Sequence, residues 1–182
     1  MLARLAVMVM FLLLARAAAA DQTDPQLDGL FMRLRDAANA NDAGAVEAEI
    51  WRIWGEATDR DAQALYKRGV AAMAAGDART AGAAFDLLVQ LQPRFAEAWN
   101  KRATLRYLIG DDEGSIADIR QTLALEPRHF GALSGLALIL ERQDRPGDAA
   151  RSLKAALAIY PFLQGGRDRL QALEKKAAGN PA

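Results

Sequence analysis

Cysteine is absent from the 182-residue chain. That absence excludes disulfides, Cys-ligated zinc, thiol nucleophiles and a lipidated N-terminal cysteine. Histidine occurs once, as His129. Zinc hydrolases and Ser–His or Cys–His triads need histidine in a defined constellation, so little room is left for such chemistry. A surplus of either charge is missing too, since 23 Lys and Arg balance 23 Asp and Glu. Nucleic-acid binders normally show a basic excess, so none is expected as a partner. Long apolar runs are lacking. The stretch Leu5–Ala15 has 11 residues, short of the roughly 20 that a spanning helix needs. Gly165-Gly166 is not followed by Lys-Ser or Lys-Thr, so it is no phosphate loop. Asp111-Asp112-Glu113 matches no twelve-residue calcium loop and reads as helix capping. No motif supports catalysis, and no cofactor or metal site is expected.

What is present points to helix. Hydrophobic residues make up 52% of the chain, enough to bury a core. Alanine, the best helix former, is abundant. Residues 1–20 read as a secretory signal: a short basic start, the apolar run, then Ala18 and Ala20 ahead of a cut before Asp21. Its removal takes Arg4 and Arg16 and no acid, so a formal charge of zero becomes −2. The expected product is exported, periplasmic in a Gram-negative cell, with no stable membrane span.

The remainder repeats. Pro93, Pro127 and Pro161 are spaced by 34 residues, as are Gly76-Asp77 and Gly110-Asp111. Each proline follows an alternating apolar pair: Val89 and Leu91, Leu123 and Leu125, Leu157 and Ile159. Small residues recur at Gly69, Ala103 and Ala137 and again at Ala81, Ser115 and Ala149. Larger ones recur at Phe85, Ile119 and Leu153. A helix pair built this way lets two backbones approach and stops at its proline. No pair buries its apolar face alone, so the pairs must stack.

A 34-residue helix–turn–helix period with these residues resembles the tetratricopeptide repeat. The resemblance covers three repeats, 62–95, 96–129 and 130–163. It implies an all-α, right-handed superhelical solenoid of antiparallel helix pairs. Ahead of it, 21–61 is expected to form a degenerate repeat or cap. There Trp51 lies off the main apolar stripe, as an edge aromatic or a partner contact. Behind it, 164–182 is expected to give a capping helix over Gln164–Ala178 and a frayed tail. As a whole the chain is similar to small exported repeat proteins of alphaproteobacteria.

The resemblance also implies a use. First helices of such repeats line a concave groove that holds a protein or an extended peptide. The matching positions are Gln63, Tyr66, Val70 and Met73 in the first repeat. They are Glu97, Asn100, Thr104 and Tyr107 in the second, and Gly131, Ser134, Leu138 and Glu141 in the third. Tyr66 and Tyr107 are the expected anchors. The family's clamp for a chaperone C-terminal carboxylate is excluded, because Tyr66, Val70, Gly131 and Gly135 stand where it needs Lys, Asn and Arg. The alternative use is a spacer in an envelope assembly, making contact through its edges. Arg68, Arg102 and Arg106 depart from the apolar family pattern. Their stems are expected to cover apolar surface with the heads in water.

Overall fold

The structure, a computed structural model, describes residues 21–57 and 59–179. The expected export signal at 1–20 and the last three residues of the tail lie outside that range. The described residues form nine helices and no strand. They are α1 (Gln26–Arg35), α2 (Ala40–Trp54), α3 (Arg60–Ala74), α4 (Ala78–Leu91), α5 (Ala96–Leu108), α6 (Asp112–Leu125), α7 (Phe130–Arg142), α8 (Pro146–Ile159) and α9 (Gly166–Gly179). Helices α3–α4, α5–α6 and α7–α8 are antiparallel pairs, stacked in chain order.

Local chemistry sets the boundaries. Asp59, Asp77 and Asp111 cap α3, α4 and α6 by accepting the amides of Ala62, Thr80 and Gly114. Each such bond satisfies one of the free amides of a first turn. Within each pair the turn needs a left-handed residue, supplied by Gly76, Gly110 and Asp144 at φ 75°, 85° and 55°. These three sit 34 residues apart, so the third repeat places aspartate where the others place glycine.

The small residues meet as the repeat requires. Gly69, Ala103 and Ala137 are buried, as are Ala81, Ser115 and Ala149 on their partner helices, and the Phe85 ring closes over Gly69. Ser115 also donates its hydroxyl to the Ala103 carbonyl at 2.7 Å. Phe85, Ile119 and Leu153 fill the neighbouring space and are at most 3% exposed. Helix α9 closes the far end by seating Leu173 and Leu170 against Ala137, Leu140 and Leu153. It begins two residues later than the sequence suggests.

The first two helices take another course. Their apolar stripes, Leu27, Leu30 and Leu34 on α1 with Val46, Ile50 and Ile53 on α2, face each other. The core they share is completed by Phe130, Ala156 and Tyr160, from the third repeat. The core of α3 and α4 is a separate cluster around Phe85, Leu88 and Phe95. The α1–α2 pair therefore lies across the mouth of the solenoid like a strap and does not stack on α3 as one more repeat. Its ties reach far along the chain. The Gln22 amide donates to the Arg94 carbonyl, and Arg128, one period later, pairs with Asp28 at 2.6 Å. The Tyr160 hydroxyl donates to Glu47 at 2.9 Å.

Candidate functional site

First helices α3, α5 and α7 carry the positions expected to line a groove, and their surroundings divide that groove in two. The half next to α3 is covered. Gln63 uses its side chain on the chain leaving α2, donating to the Gly55 carbonyl and accepting the Ala57 amide. The Tyr66 ring packs on Phe95 with centroids 5.6 Å apart. Val70 and Met73 pack against the α3–α4 core.

Beneath the strap lies a buried polar cluster. Glu97 is 1% exposed, on the first turn of α5. Its Oε2 accepts from Asn100 at 2.8 Å and from His129 Nε2 at 3.0 Å. Its Oε1 accepts from Lys101 at 3.0 Å and from the Tyr66 hydroxyl at 3.4 Å. Burial by itself pushes the Glu97 carboxyl up, but the Lys101 ammonium and His129 outweigh it and hold it below the ordinary carboxylate value. Burial, helped by the charge of Glu97, pushes the Tyr66 hydroxyl up. His129 is the N-cap of α7, its Nδ1 accepting the Ala132 amide at 3.1 Å. That bond places the ring proton on Nε2, facing Glu97. The Trp54 indole stacks on the imidazole at 4.1 Å and 8°. His129 stands at the repeat position of Phe95 and Leu163, which explains why a histidine is packed there as a flat ring.

The half between α5 and α7 is open. A cavity of about 250 Å³ lies there. Asn100, Thr104 and Tyr107 line it from α5, and Gly131, Ser134, Gly135 and Leu138 line it from α7. Ile119 and Ile139 floor it, and Trp51 of the strap walls one end. Gly131 makes room for that wall, since a Cβ there would stand 2.6 Å from the Trp51 ring. Lys101 lies 5.3 Å over the same ring, and Arg142 stacks on Tyr107 at 4.1 Å. Glu141 does not line the cavity and instead pairs with Arg169 of α9 at 2.8 Å.

Two arginines do more than cover apolar surface. Arg102 makes a two-pronged contact with Asp118 at 2.8 Å and reaches Asp86 and the Trp99 ring. Arg106 also reaches Asp118 at 2.9 Å. Asp118 is 2% exposed, so these guanidiniums compensate a buried charge. Arg68 is exposed. Asp118, one period after Ala84 and so an acid where the first repeat has a small apolar residue, was, read together with the arginines, the available signal for this network. Among the described residues no group of three or more His, Asp or Glu is placed to hold a metal ion. No described helix is long and apolar enough to cross a membrane.

No family model matches the chain. A TPR repeat-containing protein of Rhizobium etli is 32% identical over 165 residues, spanning 89% of this chain and 79% of that one. Tetratricopeptide repeat protein 36 of Bos taurus is 33% identical over 123 residues, 65% of each chain. Among solved structures, MamA matches with a TM-score of 0.55 and 18% identity, over 87% of this chain and 92% of its own. The first TPR domain of Spaghetti, bound to an HSP90 peptide, matches with a TM-score of 0.62 and 15% identity, over 64% and 93%.

Proposed function

The chain belongs to the tetratricopeptide repeat family, and from that premise we propose that it is an exported, non-catalytic module that binds an extended peptide segment of a partner protein between α5 and α7. The open cavity carries the reading. It has apolar walls, polar groups at Asn100, Thr104 and Ser134, and an aromatic at each side in Trp51 and Tyr107. A cleft of that size takes one large side chain, with the flanking backbone free to use the polar groups. A structural neighbour of the same fold holds a peptide, which supports a segment as ligand. Export rests on the composition of residues 1–20.

A second reading, a spacer that binds through its edges, has its own support. Leu108 and Ile109, at the turn between α5 and α6, are 64% and 60% exposed, against 38% for Leu138 in the groove. Adjacent exposed apolar residues mark contact surfaces.

One experiment separates the two. The purified protein is used to capture partners from an envelope extract, beside a groove variant (Ser134→Trp) and an edge variant (Leu108→Asp with Ile109→Asp). Partners lost with the groove variant and kept with the edge variant support the groove. The reverse pattern supports the spacer. Circular dichroism melts confirm that each variant is folded.

A further inference from the structure

We propose that the cleft between α6 and α8, on the face of α7 turned away from the peptide cavity, docks a segment of a partner protein that sets carboxylates beside apolar side chains. Helical spacing puts Leu133, Leu136 and Leu140 on one side of α7 and Gly131, Ser134 and Leu138 on the other. The second set lines the cavity toward α5. The first set floors a separate cleft of about 450 Å³, walled by Ile116 and Leu123 of α6.

One repeat earlier the chain fills the same place itself. There Trp99, Arg102 and Arg106 of α5 stand where α7 has Leu133, Leu136 and Leu140. Arg102 lies over the Trp99 ring and bridges Asp86 of α4 to Asp118 of α6, and Arg106 joins it on Asp118. In the next interval both sides of that pairing are changed. Leucines replace the arginines, Arg120 replaces Asp86, and Ser152 replaces Asp118. Ser152 turns its hydroxyl inward, donating to the Leu133 carbonyl at 2.8 Å. The floor is left apolar, with Leu133 and Leu136 half-buried, and the rim is cationic. Arg120, Arg145 and Arg151 border it against one acid, Asp148, which Arg145 and Arg151 already share. Arg120 has no acidic partner among the described residues. An occupant that matches this cleft brings apolar groups for the leucines and carboxylates for the arginines. A flat anionic membrane does not reach its base, where Ile119 and Leu140 are 3% and 6% exposed. Among the described residues no aromatic ring lines it to stack a nucleobase.

The test uses random peptides displayed on phage and panned against the immobilised protein. Enriched peptides are synthesised, and their affinities are measured by fluorescence anisotropy. The expected binders carry Asp or Glu beside Leu, Ile or Phe and weaken as salt rises. Arg120→Glu, at an exposed position, is expected to weaken them about tenfold. Leu136→Arg with Ser152→Asp, which writes the second repeat's pair into the third, is expected to abolish their binding. Ser134→Trp, in the peptide cavity, is expected to leave it unchanged. Circular dichroism melts show which variants fold, and the surface change Arg120→Glu decides alone if the double variant does not. The proposal is overturned if no acidic, apolar peptide is enriched, or if such peptides bind Arg120→Glu as tightly as the natural chain. Binding of phosphatidylglycerol vesicles in place of any peptide overturns it in favour of a membrane. Loss of the enriched peptides with Ser134→Trp alone puts them between α5 and α7, which overturns the cleft and leaves the proposed function standing.

Discussion

At position 69 a hydrogen stands where other residues carry a methyl group, and the Phe85 ring fills the space. A Cβ there would lie 2.5 Å from that ring. Gly69→Ala is therefore expected to cost about 1–3 kcal/mol by overpacking. Phe85→Leu in the same chain is expected to recover part of the loss, because the smaller side chain yields room. Two additive melts would show that residues 69 and 85 do not share that space. Glu97 sets a second expectation. Its carboxyl is held below the ordinary value, with Lys101 and His129 outweighing burial. A depressed carboxyl adds stability that is full above the unfolded value, about 4.3 for glutamate. That stability is lost as pH falls through the folded value. Acid melts of the natural chain are expected to steepen there, and Glu97→Gln is expected to flatten that limb. Superimposable acid limbs would remove Glu97 as the source.

Helices and turns add their own rules. Gly110 is left-handed at φ 85°, a conformation that costs an ordinary residue roughly 1–2 kcal/mol. Asp144 bears part of that strain at φ 55°. Its exposed pair with Lys176 is worth less than about 1 kcal/mol. Asp144→Gly is thus expected to raise the melting temperature slightly, and a lower one would mean that the Lys176 pair outweighs the strain. The strap has an alkaline limit. Burial and Glu47 push the Tyr160 hydroxyl up to about 12. The unfolded hydroxyl ionises near 10, so this tie stabilises fully below that pH and is lost as pH rises through the folded value. Trp51 and Trp54 lie on the strap, so their fluorescence is expected to change between about pH 10 and 12. In Tyr160→Phe that change should vanish.

For the whole molecule, the open cavity and the covered half-groove make different demands on a ligand. Only the α5–α7 half is free, so Ser134→Trp is expected to abolish partner capture with little change in melting temperature. Val70→Ala, in the α3–α4 core, is expected to lower stability and leave capture by the folded fraction intact. Equal loss of capture in both would point to unfolding as the common cause. Export adds one more expectation: N-terminal sequencing of exported material returns Asp21. A sequence starting at Met1 would mean that the first segment is retained.

The helix pairs were legible because their contacts repeat. Gly69, Ala103 and Ala137 meet partners at a fixed distance along the chain, so each contact is written three times at a period of 34. Aspartate caps and stopping prolines are local and equally readable. The groove positions were readable as positions, but not which of them are open. That depends on α2, whose Trp51 walls the cavity and whose end holds Gln63. The strap itself had no period to reveal its seat, since its ties join residues 72 to 113 apart and each occurs once. The lone His129 at a position filled by Phe95 and Leu163 was a faint signal of an aromatic partner there. Its stack on Trp54, and the four donors gathered on Glu97, exist only once the chain has folded back. The sequence by itself determined the repeated contacts, because repetition displays them in one dimension. Tertiary structure alone decided the unrepeated ones, because apolar burial and charge compensation act on whichever residues the fold brings together.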